Sequence, residues 1–408
     1  MQTCNSRRPA ETEYLMNTLS SIIYLDNNAT TPVDPRVLSA MMPYFTTSFA
    51  NASSTHQFGA DAYQAVKDAR AQVAELIGAD TNEIIFTSGA TESINLALKG
   101  VAEQYQSKGT HIITVATEHT AVLDTCQFLA TKGFDITYLP VEPNGLINVE
   151  QFEQALRPDT ILACVMYVNN ETGVIQPIQT LADIAHKAGA LFMTDGTQAV
   201  GKIPIDVDAL GIDLMPMSAH KMYGPKGIGG LYVRQRHNRI KFPALLHGGG
   251  HERGMRSGTL NVPGIIGLGE ACAIAAKEME HDRTTIGMLR DYAESELLTI
   301  PHTTINGATD KRLYNVTNLC FHGADSDAII MGLSSPDSST PLIAVSNGSA
   351  CTAATIEPSH VLIAMGLDDT AAFNSIRFSL GKFTAKDEMV IVVDAVKRVV
   401  GALREMVG

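Results

Sequence analysis

The chain has 408 residues, of which 45% are hydrophobic and 18% are charged, and its formal net charge at pH 7 is −13. A chain of this length and apolar content folds into one large domain or two smaller ones around a substantial core, which excludes global disorder. The acidic balance also argues against sequence-independent nucleic-acid binding, because that activity needs a basic surface.

The sequence carries no signal for membrane insertion, secretion or metal binding. Its longest unbroken apolar run is Ile161–Val168, whereas a membrane helix needs about 20 such residues. Arg7-Arg8-Pro9 is not followed by an apolar stretch, so we expect residues 1–21 to form a flexible tail rather than a signal peptide. The six cysteines are scattered without a CxxC pair, which favours a reducing, cytoplasmic location over a metal site or a disulfide framework.

From about residue 60 to residue 235, helical and strand-like patterns alternate. A helix is predicted over Gly59–Ile77, where apolar residues recur at helical spacing and Gly78 provides a C-cap. Seven short apolar segments are predicted as strands: Glu83–Thr87, His111–Ala116, Asp135–Val141, Ile161–Val168, Ala190–Asp195, Asp213–Ser218 and Ile228–Val233. Short buried strands joined mostly by helices predict an α/β fold with a mostly parallel sheet covered on both faces.

After about residue 280 the pattern changes to that of an α+β unit. Strands are predicted at Tyr314–Phe321, Leu342–Ser346 and Ser375–Leu380, and a helix is predicted at Asp325–Leu333. A polar loop with helix breakers, Ser334–Pro341, separates that helix from the next strand. We therefore expect a second, smaller unit at the C-terminal end, closed by a long final helix.

Two polar clusters follow predicted strands. Thr87–Ser93 begins a helix, and the backbone freedom of Gly89 would let its free amides approach an anion such as a phosphate; a tight turn with an N-cap explains the cluster equally well. Asp195–Gln198 lies at the C-terminal end of a strand, the edge at which α/β sheets bind ligands. A carboxylate there can hold a protonated ring nitrogen, and a helix N-cap is the alternative.

Two later clusters contain candidate nucleophiles. Lys221 directly follows a strand in Met217–Gly227, and a partly desolvated lysine there becomes an amine nucleophile able to form a Schiff base, although most lysines are solvated. Cys351 lies in the small-residue loop Ser346–Thr352, which suits an accessible thiol better than a structural one. A neighbouring cation or helix start is needed for much thiolate at neutral pH.

A histidine and an arginine complete the candidate set. His119 follows the strand His111–Ala116 at the ligand-binding edge of the sheet, although a lone histidine is more often a packed or solvated residue. Arg377 stands inside a strand-like run, where an arginine is costly unless it is paired. A substrate carboxylate would pair with it in bidentate fashion.

The order of these clusters resembles that of a known enzyme family. The matching segments are Tyr24–Pro32, Phe86–Ser93, Thr117–His119, Val168–Glu171, Asp195–Gln198, Ser218–Gly227, His247–Thr259, Gly348–Thr352 and Ile376–Ser379. In content and order they resemble the NifS/IscS-like cysteine desulfurases, class V aminotransferases of the pyridoxal 5′-phosphate (PLP) fold type I. The resemblance extends from residue 24 to about residue 400, and so many motifs in one order make chance agreement negligible.

The resemblance implies an architecture. Fold type I has a large domain with a mostly parallel seven-stranded sheet and a smaller α+β C-terminal domain. For this chain it implies a large PLP-binding domain over residues 31–278. It also implies a small domain that combines residues 22–30 with residues 279–408 and carries the cysteine loop. A homodimer is implied as well.

The resemblance also assigns roles to individual residues. Lys221 would hold PLP as a Schiff base and remove the α-proton of the substrate, and Cys351 would accept sulfur. His119 would stack on the ring and assist proton transfer, Asp195 would pair with the pyridine nitrogen, and Gln198 would contact the phenolic oxygen. The residues expected to hold the phosphate are Gly89, Ala90, Thr91, Ser218, His220 and, from the second subunit, Thr259. The substrate carboxylate would be held by Asn170 and Arg377.

The implied reaction converts L-cysteine to L-alanine and leaves sulfur on Cys351 as a persulfide. A protein acceptor would collect it: a cluster-assembly scaffold, a tRNA-thiolation protein or a sulfur carrier. No metal, membrane or direct nucleic-acid partner is expected. A selenocysteine lyase, a class V aminotransferase and a non-catalytic sulfur-relay subunit are the alternatives. Gly196 stands where the family has alanine, and we expect this change mainly to loosen packing near the ring.

Overall fold

The computed structural model of the chain describes residues 22–236, 239–334, 341–347 and 357–407. The predicted tail over residues 1–21, most of the predicted loop Ser334–Pro341 and Cys351 lie outside the described residues. The described strands are, in chain order, β1 (Ile22–Tyr24), β2 (Ile84–Thr87), β3 (His111–Val115), β4 (Asp135–Leu139), β5 (Thr160–Cys164), β6 (Leu191–Met193), β7 (Leu214–Ser218), β8 (Gly229–Val233), β9 (Thr303–Ile305), β10 (Val316–Phe321), β11 (Leu342–Ala344) and β12 (Ser375–Ser379).

Helices connect most of these strands. The α-helices within the described residues are, in chain order, α1 (Pro35–Met41), α2 (Pro43–Thr46), α3 (Gln57–Leu76), α4 (Ala90–Tyr105), α5 (Thr120–Ala130), α6 (Val149–Ala155), α7 (Ile178–Lys187), α8 (Val262–Leu297), α9 (Ser326–Ser334), α10 (His360–Ala364), α11 (Asp369–Phe373) and α12 (Lys386–Val407). Several begin at a side-chain cap; the Asp34 carboxylate, for example, accepts from Arg36 N–H at the start of α1. None of the described helices has the length and apolarity that crossing a bilayer requires.

Seven strands form the central sheet, in the order β2-β8-β7-β6-β5-β3-β4. Only β8 runs antiparallel to its neighbours β2 and β7, and all other neighbours in this sheet are parallel. The α/β fold with a mostly parallel seven-stranded sheet is therefore confirmed, with each predicted strand present but shorter at one or both ends. Because the parallel strands point the same way, their carboxyl ends meet at one edge of the sheet.

Both faces of the central sheet are covered. Successive side chains of β3 point to opposite faces, so Ile113 joins one hydrophobic cluster and Ile112 joins another. The first cluster contains buried residues of α3 and α8, which pack against each other, and the second contains residues of α4 and α5. Because both faces are covered, the strands are apolar runs rather than alternating patterns, except at the edge strand β4, where Asp135 and Tyr138 are exposed.

A second unit is built around a smaller antiparallel sheet in the order β12-β10-β9. Its hydrophobic cluster takes residues from β10, β12, α9 and α12, together with Ile23 and Leu25 of the N-terminal segment. The chain therefore returns its first described residues to this unit, where β1 pairs with β11.

Helix α8 crosses the predicted domain boundary. It runs without interruption from Val262 to Leu297, so the expected division at residue 278 lies inside it. The side chains of α8 change cluster along its length: Ile274 belongs to the cluster under the central sheet, and Ile286 belongs to that of the second unit. The division into two domains stays a prediction.

Candidate active site

A cavity of about 580 Å³ lies at the carboxyl ends of the central strands. Segments that follow β2, β3, β5, β6 and β7 all contribute to its walls. The predicted site residues that line it are Gly89, Ala90, Thr91, His119, Asn170, Asp195, Gln198, Ser218, His220, Lys221 and Arg377. The structure thus brings together residues separated by almost 300 positions in the sequence, at the edge where α/β sheets bind ligands.

One end of the cavity has the features of an anion site. Gly89 is the N-cap of α4 and has φ 156° and ψ −179°, a conformation that is essentially restricted to glycine. The amides of Ala90 and Thr91 belong to the first turn of α4, so they have no acceptor within the helix. Burial lowers the pKa of His220 to about 4, so its ring is neutral at pH 7. Neutral donors at the positive end of a helix favour a phosphate.

Lys221, which also lines the cavity, is held by the N-terminal segment. It ends a single 3₁₀ turn, Ala219–Lys221, that directly follows β7. Its Nζ donates to the backbone oxygens of Asn28 at 2.6 Å and Ala29 at 2.7 Å. Two residues further on, Tyr223 adopts φ 63°, a left-handed conformation that costs about 1 kcal/mol or more and needs support from its surroundings. Hydrogen bonds to the N-terminal segment therefore hold the amine of Lys221, and the backbone that follows it is constrained at Tyr223.

Asp195 and His119 also line the cavity. Asp195 follows β6, is 5% exposed, and accepts a hydrogen bond from Thr197 N–H at 2.9 Å through Oδ1. His119 caps α5, where its Nδ1 accepts from Ala121 N–H at 3.1 Å. Burial lowers the pKa of His119, so at pH 7 the ring is neutral and carries its proton on Nε2. The cavity thus combines a carboxylate with a neutral imidazole.

Gln198 belongs to a hydrogen-bond chain behind the cavity. Its Nε2 donates to the backbone oxygen of Asn28 at 2.8 Å, the same oxygen that accepts from Lys221. Its Oε1 accepts from Nζ of Lys202 at 2.8 Å. The sequence analysis did not single out Lys202. Its only signal was a lysine four residues after Gln198 in an otherwise apolar and glycine-rich stretch.

Arg377 is buried and already paired. Its Nη2 donates to Oδ1 of Asp26 at 2.6 Å, and its Nη1 donates to the backbone oxygen of Asn170 at 3.0 Å. Its Nε is buried and has no acceptor among the described residues. These two bonds use two of the five N–H groups of the guanidinium, so a cavity-lining arginine of this kind suits a ligand carboxylate.

Two buried carboxyl groups were also missed by the sequence analysis. Glu118, next to His119, is 0% exposed, and burial together with Asp195 raises its pKa well above the ordinary range. Burial likewise raises the pKa of Glu171, whose Oε2 accepts from the hydroxyl of Ser359. Both residues were quoted within motifs, but nothing in those motifs indicated that the side chains would be enclosed.

Gly196 corrects one expectation about packing. A Cβ at this position would lie 2.7 Å from both Cγ and Sδ of Met215 and 3.2 Å from the backbone oxygen of Pro216. The space is therefore filled by Met215, so the expectation that glycine loosens packing near the ring was wrong. The large methionine on β7 makes the glycine necessary.

Thr259 and Cys351 are the predicted site residues that are not among those lining the cavity. Thr259 is exposed and does not line the cavity of its own chain. Cys351 lies outside the described residues, but both of its flanks are described. Ser346 exchanges two backbone hydrogen bonds with Arg377, and His360 donates from Nε2 to the backbone oxygen of Glu118 at 2.9 Å. The described residues on either side of this segment therefore contact Arg377, which lines the cavity, and Glu118, the neighbour of His119.

Comparisons with known proteins decide the family. The sequence pattern described as "Aminotransferase class-V" matches residues 23–392. The chain belongs to this family. A class V relative named cysteine desulfurase IscS, from Edwardsiella ictaluri (strain 93-146), is 51% identical over 387 residues, covering 94% of each chain. The protein of the same name from Salmonella typhi is also 51% identical over 387 residues, with the same coverage of both chains.

Solved structures of the family agree with this assignment. One described as a NifS-like protein has a TM-score of 0.86 at 36% identity and covers 93% of this chain and 99% of its own. Another, described as SspA in complex with cysteine, has a TM-score of 0.77 at 39% identity and covers 89% of this chain and 99% of its own. PLP fold type I is therefore confirmed.

The cofactor of this family is PLP, and the residues present fit it. The anion site at the start of α4 suits a phosphate, and Lys221 offers an amine in the same cavity. The hydroxyl of Thr197 is buried in the cavity wall and has no partner among the described residues, as expected for a ligand contact. Within the described part of the chain, no group of three His, Cys, Asp or Glu side chains is arranged to hold a metal.

Proposed function

We propose that this protein is a PLP-dependent cysteine desulfurase, which converts L-cysteine to L-alanine and retains the sulfur as a persulfide. The observation that carries the proposal is the meeting of Lys221, Asp195 and His119 around one cavity, in a chain half identical to enzymes named cysteine desulfurase. A family member described in complex with cysteine supports the substrate.

Most of the predicted site residues that line the cavity have a proposed role in holding PLP. Asp195 would pair with the pyridine nitrogen, Gln198 would donate to the phenolic oxygen, and His119 would lie against the ring. Lys221 is the proposed attachment point. The phosphate would be held by Gly89, Ala90, Thr91, Ser218 and His220. When bound, PLP supplies an electron sink that stabilises negative charge on the substrate Cα.

The remaining residues bind substrate and move protons. Arg377 would hold the substrate carboxylate together with Asn170, whose backbone oxygen already receives one of the guanidinium N–H groups. The amine of Lys221 would remove the proton from Cα, because it is held in the same cavity. His119 carries its proton on Nε2, so it can donate to a group within the cavity.

Sulfur transfer requires a thiol, and we propose Cys351 for this role. Its thiolate would attack the sulfur of the substrate, so that an S–S bond forms and the C–S bond breaks. The electron pair of the broken bond stays with the carbon fragment, which takes up a proton and leaves as L-alanine. The carbon is reduced and the two sulfurs are oxidised, so no further reagent is needed. The described residues on either side of the Cys351 segment contact Arg377 and Glu118, which supports this role.

The partners and organisation of the enzyme follow the same proposal. We propose a cytoplasmic homodimer of two-domain subunits, in which the exposed Thr259 completes the phosphate site of the second subunit. The persulfide would pass to a protein acceptor of iron–sulfur cluster assembly or tRNA thiolation. Light scattering tests the dimer, and a fully active monomer would contradict the role of Thr259.

Two substitutions test the proposed function. In Lys221→Ala we expect the visible absorbance band of bound PLP to disappear. In Cys351→Ser we expect PLP and L-cysteine to bind while alanine formation falls to a few per cent, since the sulfur acceptor is lost. Cys4→Ser, the same exchange in the predicted tail, is the control and should behave as the wild type. Alanine formation at the wild-type rate in Cys351→Ser would favour a class V enzyme that needs no cysteine, such as a selenocysteine lyase.

A further inference from the structure

Lys202 is a buried cation with no role in the proposed reaction. Its side chain is 6% exposed, and no carboxylate oxygen of the described residues lies within 4 Å of its Nζ. Its described hydrogen bond is the one to Oε1 of Gln198, at 2.8 Å. A lysine buried without a carboxylate destabilises the fold, because the charged form loses its hydration. A functional reason is therefore needed for its presence next to the cofactor cavity.

The chemistry of Gln198 provides that reason. The two ends of its amide are nearly identical in shape, but one is an acceptor and the other carries two N–H donors. Lys202 can only donate in its charged form, so it selects Oε1; the backbone oxygen of Asn28 can only accept, so it selects Nε2. Together these two partners fix the orientation of the amide. Asn28 takes one N–H, and the second is the donor that Gln198 can offer to the cavity it lines.

We propose that Lys202 is a positioning residue that orients the Gln198 amide with its N–H group, rather than its oxygen, towards the cofactor. Without it, the amide could turn and present Oε1 to the electron-rich oxygen of PLP, which would be repulsive. This inference rests on the proposed function, because it assumes that PLP occupies the cavity. Lys202 itself touches neither PLP nor substrate in this arrangement.

The protonation state of Lys202 affects how strictly it orients the amide. Burial, and then the charges of Lys221 and Arg377, lower the pKa of Lys202 to about 7, but the neutral amine keeps two N–H donors. Other titratable or charged groups face it across a small cavity of about 20 Å³: Tyr223, Asp282, Tyr314 and Lys382. The hydrogen bond to Oε1 of Gln198 is therefore available in both protonation states, but only the charged form, which has no lone pair, excludes the opposite orientation of the amide.

The test uses the visible absorbance band of PLP in the full-length holoenzyme, titrated with pH. Lys202→Met keeps an unbranched apolar side chain as far as the ε position and removes the donor. We expect the midpoint of the titration to rise by about one pH unit, because a nearby donor and a nearby positive charge both favour the form of the cofactor with fewer protons. Lys202→Arg keeps a donor, and the adjacent cavity leaves room for its larger head. Its midpoint should stay within about 0.3 unit of the wild type.

A double substitution separates orientation from charge. If Lys202 acts through Gln198, the shift caused by Lys202→Met should fall to less than half in a Gln198→Ala background. An equal shift in both backgrounds, or no shift in Lys202→Met alone, would overturn the proposal. Should Lys202→Met not fold, Lys202→Gln replaces it, since its amide ends one bond short of the Nζ position and the midpoint should again rise. Lys187→Met, an exposed lysine on α7, is the control.

The outcomes also separate this inference from the proposed function. A wild-type protein that shows no PLP band would refute the proposed function itself. A wild-type protein with the band and with desulfurase activity, whose midpoint is unchanged by Lys202→Met, would refute only the positioning role.

Discussion

The start of α4 allows a specific prediction about PLP binding, because strand β8 lies close to it. Gly229 of β8 stands against the backbone of Gly89: a Cβ at position 229 would lie 2.7 Å from Cα and 2.9 Å from the carbonyl carbon of Gly89. It would also lie 2.5 Å from the backbone oxygen of Met217. All three atoms belong to the backbone, so no side-chain rotation can relieve the contact in Gly229→Ala.

The structure also sets the size of the effect. Ordinary contact begins at 3.4 Å, so β8 must move about 0.9 Å away from Met217 to accommodate the methyl group. Overpacking of this kind costs about 1–3 kcal/mol and should lower the melting temperature by several degrees. The same movement displaces Gly89 and the first amides of α4. Loss of one or two hydrogen bonds to a charged group, at about 1.5–3 kcal/mol each, should weaken PLP binding about 10- to 100-fold or more.

The neighbouring residue on the same strand provides a matched control. A Cβ at Gly230 would meet Met217 Cγ at 3.4 Å, Met217 Sδ at 3.6 Å and the backbone oxygen of Ile85 at 3.7 Å, which are ordinary contacts. Spectrophotometric titration with PLP and thermal unfolding of the apoenzyme would be carried out on both variants. Gly230→Ala should bind PLP within about threefold of the wild type. Equal PLP affinity in Gly229→Ala and Gly230→Ala would refute the role given to this close approach.

Two further predictions concern buried charge. The pKa of Glu118 is raised in the folded state, so its carboxyl group contributes fully to stability below pH 4.5, and that contribution is lost as pH rises through the raised value. Urea unfolding from pH 5 to 9 should therefore show the free energy of unfolding of the wild type falling relative to that of Glu118→Gln, by at most about 1.4 kcal/mol per pH unit. A difference that does not vary with pH would contradict this prediction. In Arg377→Lys, steady-state kinetics should show KM for L-cysteine rising at least about tenfold, because the bidentate contact to a carboxylate is lost; an unchanged KM would remove Arg377 from substrate binding.

Local sequence patterns predicted the elements of the site well. Gly89 and Lys221 were predicted as site residues because a turn residue and a basic residue each come shortly after an apolar segment, and the direction of a parallel sheet then places both at one edge. In the structure both line one cavity, and their roles stay predictions. The elements themselves followed from the spacing of apolar residues, with shorter strands than expected. Burial on both sides of a parallel sheet leaves no polar residues to mark where the pairing ends.

The supporting residues could not be found in this way, because their roles depend on distant contacts. The proposed role of Lys202 depends on its contact with Gln198, and the Gln198 amide in turn donates to a backbone oxygen 170 residues earlier in the sequence. The burial of Glu118 likewise depends on distant residues, and its Oε1 accepts a hydrogen bond from a backbone amide 48 residues later in the sequence. Gly196 was misjudged for a related reason, since the space it leaves is filled from another strand by Met215.

Helix α8 has a consequence for how the enzyme moves. Its 36 residues make a rod about 54 Å long. One part of the rod is embedded beneath the large sheet through Leu268 and Cys272, and the other is embedded in the second unit through Ala293 and Leu297. A large rotation of one unit relative to the other would have to bend α8 or break hydrogen bonds within it. We therefore expect the two units to move together, and we expect substrate entry and product release to depend on the shorter connecting segments and on side-chain rotation.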